Sequence, residues 1–305
     1  MKIQPTGEVL GATITDIDLH KPLSSEDFYT LLNALSAHGV LRFPGQRLEP
    51  AQLRNFSLNF GQLQSMRSTK FGHQLAPEVS VLSNIMKDGK YIGVPDAGQS
   101  WHTDMTYNSI VGFINVLVAH EVPMRNGKPL GATEFCNTAA AYDDLPQELK
   151  TELAQSTALH DLNLYWEYVR REKGSTRAPL TEQEKAERPP IRHPVFLTHP
   201  ISGRKIIYVN PGYVETIDGM PDEKGRRTLQ LLFDHVLKPK YRYVNRWVRD
   251  DLLMWDHLST WHNAIADYSP DEHRLMIRCQ VMADRVFEPD FLEPSLSKKA
   301  ISQSF

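Results

Sequence analysis

Chemistry is first suggested, by residue type and spacing, at His102 and Asp104 in the run Trp101-His102-Thr103-Asp104. In an extended strand, residues two apart point to the same side, so an imidazole and a carboxylate placed this way converge. Far along the chain, Leu252-Leu253-Met254-Trp255-Asp256 reads as a buried strand that runs into a polar turn ending at Trp261-His262. If the fold closes these segments against each other, two histidines and one carboxylate meet on one face of an octahedral iron(II), with three positions left open. A His-x-Asp tripeptide on its own more often marks a hydrogen-bonded pair on a loop, so the reading depends on its surroundings.

A second chemical signal follows in His273-Arg274-Leu275-Met276-Ile277-Arg278-Cys279. Arg274, Met276 and Arg278 share one face of such a strand, and Leu275, Ile277 and Cys279 share the other. The second face is too apolar for an exposed edge, which turns the arginines inward. Two buried guanidiniums require anions, and each planar fork suits a carboxylate or a sulfonate. The plainer alternative is an edge strand whose arginines pair with surface acids.

The elements that must position these residues are legible in outline. Ser24-Ser25-Glu26-Asp27 is a capping signal, followed by Phe28, Leu31, Leu32 and Leu35 at helical spacing and by Gly39 as a stop. Val40 to Phe43 reads as a short strand, Pro50 to Phe60 as a helix, and Asp222 to Leu237 as an amphipathic helix. From Val79 onward the texture is one of short apolar runs: Val79–Leu82, Phe113–Ala119, Ala132–Phe135, Ile206–Val209, Leu252–Trp255 and Met276–Met282. Divided by Gly, Pro and Asn turns, these favour a mainly β barrel or jelly roll with helices over a doubly wound sheet. The 305 residues are expected to form one domain spanning 1–305.

Composition narrows the function. The net charge is −3 and no stretch concentrates Lys and Arg, which argues against a nucleic-acid partner. The N-terminus lacks a signal-peptide core and no run approaches the ~18 apolar residues of a membrane span, so a cytoplasmic protein is expected. Cys136 and Cys279 lie far apart and read as buried free thiols.

The chain resembles, over nearly its whole length, the iron(II)- and 2-oxoglutarate-dependent dioxygenases of the taurine dioxygenase and 2,4-dichlorophenoxyacetate dioxygenase family. The matching stretches, in order, are Gly11 to Leu19, Phe43-Pro44-Gly45-Gln46, Trp101-His102-Thr103-Asp104 and Thr198-His199-Pro200-Ile201-Ser202-Gly203-Arg204. They continue with Tyr208-Val209-Asn210, Trp255-Asp256 followed by His262, and Arg274 followed four residues later by Arg278. The resemblance implies a double-stranded β-helix, a cupin-like jelly roll with flanking helices, and a lid-like insertion at about 161–192. It implies His102, Asp104 and His262 as metal ligands and catalytic centre, with Arg274 gripping the far carboxylate of 2-oxoglutarate and Thr133 assisting it. Arg278 corresponds to the arginine that holds the anionic end of the substrate, and Met105 and Tyr107 fall where they either line that pocket or pack the core.

The implied cofactors are Fe(II), 2-oxoglutarate as co-substrate and O2, with succinate and CO2 released as a small organic anion is hydroxylated. Candidate substrates are an aryloxyalkanoate, another carboxylate or a non-taurine sulfonate, with carbon–heteroatom cleavage where hydroxylation falls beside the heteroatom. Relatives suggest a homodimer or homotetramer.

Three departures qualify the resemblance. Trp255-Asp256-His257 replaces the usual Trp-Asp-Asn, which makes His257 a rival to His262, although the family interval favours His262. Extra residues from Met124 to Pro129 precede Thr133. Met66 stands where taurine enzymes carry a sulfonate-contacting histidine, which moves the substrate away from taurine. Two other classes use the same residues: a zinc hydrolase with metal-bound hydroxide, which leaves Arg274 and Arg278 without a role, and a jelly-roll protein that captures an anion without turnover.

Overall fold

Ser24 starts the first helix as its sequence requires: its hydroxyl accepts the Asp27 amide at 3.0 Å, and the helix Ser25–His38 ends at Gly39, whose φ of 66° suits glycine. Leu31, Leu32 and Leu35 on its inner face are fully buried, each contributing about 1.5–3 kcal/mol of apolar burial. The next helix, Pro50–Ser57, is shorter than the expected 50–60 span. Both pack on an eight-stranded sheet in the computed structural model, which describes residues 1–65, 72–73, 76–175, 177–288 and 291. Met66, which bears on taurine, lies outside the described residues.

The large sheet runs in the order Lys2–Pro5, Ala12–Thr15, Val40–Phe43, Leu252–Asp256, Gly112–Glu121, Leu275–Met282, Ala76–Ser83 and Gly72–His73. Its pairings are antiparallel except the short contact of Ala12 and Thr13 with Leu41 and Arg42. The central strand Gly112–Glu121 is an almost unbroken apolar run because it is covered on both faces. A second sheet holds Arg242–Asn245, Thr133–Asn137 and Thr260–Ala264, backed by the helices Thr138–Asp143 and Asp222–Val236. Phe135, from this smaller sheet, joins Leu117, Leu253, Trp255 and Met276 of the large one in one apolar cluster. The chain is thus a strand-rich α/β protein in which two sheets share an interior.

All six apolar runs contain strand, although the run Ile206–Val209 is in strand only as far as Ile207. The exception to the strand reading is Trp101-His102-Thr103-Asp104. Only His102 pairs, in an isolated bridge, and Asp104 already lies in a turn. The physical reason is local: Thr103 spends its hydroxyl on the Thr260 carbonyl (2.7 Å), and Met105 takes a left-handed φ of 62°, which ends any extended path. Cys136 and Cys279 are buried free thiols, and burial pushes both up to about 12, so neither is an activated nucleophile.

Candidate active site

The strand Thr260–Ala264 is registered against Thr133–Asn137, with His262 opposite Phe135. His102 bonds back to this strand through its main chain: its N–H donates to the His262 carbonyl at 3.1 Å, and the His262 N–H returns the bond at 2.9 Å. This cross-strand pairing, and not the alternation expected within 101–104, brings the two imidazoles to 4.2 Å between ring centroids. Asp104 then swings in from the turn. Its Oδ1 lies 3.3 Å from His102 Nε2, and its Oδ2 lies 3.8 Å from His262 Nε2. One donor atom from each of the three residues lies within 4.8 Å of the others, and all three residues are buried.

Their protonation suits a cation. The Nδ1–H of His102 donates to the Ser100 carbonyl at 2.7 Å, which directs Nε2 toward Asp104. Burial alone raises the Asp104 carboxyl, but the hydrogen bond with His102 and the charge of Arg278 outweigh it and hold it well below the usual range. Burial, reinforced by His102, keeps His262 neutral, far below the ordinary histidine value. Two buried imidazoles and a buried carboxylate form a donor set that fits a divalent metal.

His257 stands apart from this group. Its ring is fully buried 5.9 Å from that of His262, neither nitrogen has a partner, and burial lowers it to about 4.

The two arginines differ. Arg278 Nη1 donates to Asp104 Oδ2 at 3.2 Å, while its Nε is buried without a partner. Arg274, 6% exposed, has no carboxylate within ion-pair distance among the described residues, and burial lowers its pKa. Its main-chain N–H donates to Asn84 Oδ1, and its Nε lies 3.5 Å from where a Cβ on Gly131 would sit, a point also 3.2 Å from the Tyr268 ring. Gly131, at φ 70°, is therefore required both by its backbone and by this close approach. A cleft of about 330 Å³ opens beside Asn84, Gln99, Tyr268 and His273. Thr133 is buried and accepts the Trp247 indole N–H at 3.0 Å.

Met105 is buried and Tyr107 half-buried, and the Tyr107 ring packs 4.8 Å from Tyr213. Tyr165, from the helix Leu162–Glu172 of the charged insertion, stacks on His102 at 5.3 Å and 29°, and lies 5.4 Å from Tyr213. Tyr165, Tyr213, Trp247 and Gln280, whose amide reaches Asp104, were not singled out from sequence, whereas Tyr107 was. Gln280 was findable, because it stands two residues beyond Arg278 on the same strand face. Nothing in the spacing of Tyr165 or Tyr213 points to the centre.

Comparison with known proteins gives consistent matches. The family described as taurine catabolism dioxygenase TauD, TfdA family matches residues 2–280. An alpha-ketoglutarate-dependent 2,4-dichlorophenoxyacetate dioxygenase of Burkholderia sp. (strain RASC) is 32% identical over 263 residues, covering 82% of this chain and 84% of the relative. Pentalenolactone F synthase of Streptomyces avermitilis is 29% identical over 295 residues, covering 93% and 94% of the two chains. Among solved structures, AAD-2 in complex with Mn(II) and N-oxalylglycine superposes with a TM-score of 0.73 at 28% identity, covering 92% of this chain and 96% of that one.

Proposed function

Since the chain belongs to the TauD, TfdA family and is an iron- and 2-oxoglutarate-dependent dioxygenase, we propose that His102, Asp104 and His262 hold its metal, Arg274 and Thr133 its co-substrate, and Arg278 its substrate. The observation that carries this is the convergence of three buried donors, together with a buried Arg274 that has no carboxylate within ion-pair distance among the described residues.

Bound there, iron(II) supplies the redox chemistry by which O2 and 2-oxoglutarate yield succinate and CO2 and one oxygen atom passes to substrate carbon. The chain's own residues position and shield. His102 is oriented by Ser100, and His262, held neutral by burial, offers a lone pair without first losing a proton. Arg274 provides a guanidinium whose burial is compensated when a dicarboxylate enters, and the Thr133 hydroxyl, fixed by Trp247, has its proton free to donate. Arg278 keeps part of its fork unpartnered for an anionic group next to the reacting centre. Tyr107, Tyr165 and Tyr213 make an aromatic wall that excludes water and suits the apolar body of an organic anion.

The substrate is accordingly a small organic anion, an aryloxyalkanoate or another carboxylate or sulfonate, with carbon–heteroatom cleavage where hydroxylation falls beside the heteroatom. We further propose one jelly-roll domain over 1–305, in which the insertion at 161–192 closes over the substrate through Tyr165, and a cytoplasmic enzyme of two or four copies. Among the described residues, no helix is long and apolar enough to cross a membrane.

The test is succinate release from 2-oxoglutarate with iron(II) and ascorbate across a panel of carboxylates, sulfonates and sulfate esters. Stimulation by at least one aryloxyalkanoate or related anion is expected. Stimulation only by uncharged or cationic compounds contradicts the role given to Arg278.

A further inference from the structure

The Asp104 carboxylate has two donors on the same oxygen, and they are not equivalent. Gln280 Nε2 donates to Oδ2 at 2.9 Å and Arg278 Nη1 donates to the same atom at 3.2 Å. Both side chains come from one face of the strand Leu275–Met282, two residues apart. Oδ1 points elsewhere, 3.3 Å from His102 Nε2.

The two donors differ in charge and in rival demands. Arginine carries a full positive charge, which draws electron density from a carboxylate that must bind a cation, and its Nε is buried without a partner, so its fork is only partly used. An anionic substrate that takes this guanidinium competes with Asp104 for it. Glutamine is neutral, 7% exposed, and its amide nitrogen has no second acceptor among the described residues. A buried ionised oxygen left without donors is costly, so when Arg278 turns to substrate something must remain on Oδ2.

Resting on the metal assignment proposed above, we propose that Gln280 is the positioning residue of the metal site. It holds Oδ2 permanently, presents Oδ1 on the side of His102, and releases Arg278 to exchange between Asp104 and the substrate's anionic group. Specificity for an anion and integrity of the metal site are thereby separated onto two neighbouring residues of one strand.

Mn(II) titration of the full chain, read by the electron paramagnetic resonance signal of free Mn(II), tests this without turnover. Gln280→Met keeps the side-chain volume and removes the donor. It should weaken Mn(II) about ten-fold or more, the scale seen when a hydrogen-bond partner of a metal ligand is lost. Arg278→Ala should weaken it no more than about two-fold, because Gln280 remains. The double variant should lose more than the product of the two, as expected when the last donor to a shared atom is removed.

Gln280→Asn, which withdraws the amide by one carbon, should reproduce the loss, and it substitutes if the methionine variant does not fold. A folded Gln280 variant that binds Mn(II) within about two-fold of the wild type overturns the inference, as does an Arg278→Ala loss equal to that of Gln280→Met. If the wild type binds no Mn(II), or His102→Ala leaves binding unchanged, the metal assignment itself falls. His102-dependent binding that ignores Gln280 removes only the role of Gln280.

Discussion

Among the described residues, two buried histidine–aspartate groups stand in contrast, and one of them gathers a third donor. At the first, His199 Nε2 lies 3.0 Å from Asp256 Oδ2, while His199 Nδ1 accepts the Ser202 N–H at 3.1 Å. Asp256 further accepts the Leu258 N–H at 2.8 Å and the Ser259 hydroxyl. These contacts stay inside the fold, and the group ties the loop 199–204 to the turn before the strand Thr260–Ala264. At the second, His102, Asp104 and His262 converge, with the Nε2 atoms of the two imidazoles 3.3 and 3.8 Å from oxygens of one carboxylate. Residue types are the same in the two places. The number of converging donors separates them: one imidazole on one carboxylate makes a structural pair, and three buried donor atoms within reach of one another suit a cation.

Substitutions at the two groups should therefore fail in different ways. The largest effect is expected at Asp104→Ala, where succinate formation should drop by about a thousand-fold or more, since several kcal/mol of metal-derived stabilisation disappears. The fold should persist by circular dichroism, and near-native turnover breaks the contrast. Asp256→Ala should instead cost roughly 3–5 kcal/mol of stability by stranding its donors and its partner His199, seen as a lower denaturation midpoint. Unchanged stability with lost metal binding would place Asp256 in the wrong group.

Arg278→Ala is expected to raise the KM for an anionic substrate by about 30-fold, corresponding to ~2 kcal/mol, while substrate-independent decay of 2-oxoglutarate continues. Loss of that decay with KM intact would exchange the roles of Arg274 and Arg278.

The smallest effect concerns a buried histidine outside both groups. His160 is fully buried, its two nitrogens have no partner, and burial lowers it to about 3 against an ordinary 6.5. The unfolded chain binds its proton first as pH falls, so the neutral ring contributes stability that is complete above about pH 6.5 and drains away toward pH 3. His160→Phe should flatten the acid side of the stability profile by up to about one proton per molecule. An unaltered slope would mean that His160 does not set it.

The fold was more legible than the site. Helix caps such as Ser24 and the apolar runs of the large sheet act locally, and the sequence carries local signals directly. Arg278 and Arg274 were readable for the same reason, since the apolar Ile277 and Cys279 on the opposite face fixed which way they turn. The route by which His102 and Asp104 meet was not readable as a strand, because it depends on main-chain pairing with a segment 160 residues away and on the left-handed Met105. Tyr165 was invisible because its place beside His102 comes from how the insertion folds back, and Tyr213 because it reaches His102 from a turn, neither of which a periodicity encodes.

The most direct measurement is the visible charge-transfer band formed when iron(II) and 2-oxoglutarate are added anaerobically to the wild type, to His262→Ala and to His257→Ala. The band should appear in the wild type, persist in His257→Ala and vanish in His262→Ala. A band that survives the loss of His262 and disappears with His257 would contradict the metal centre proposed for this protein.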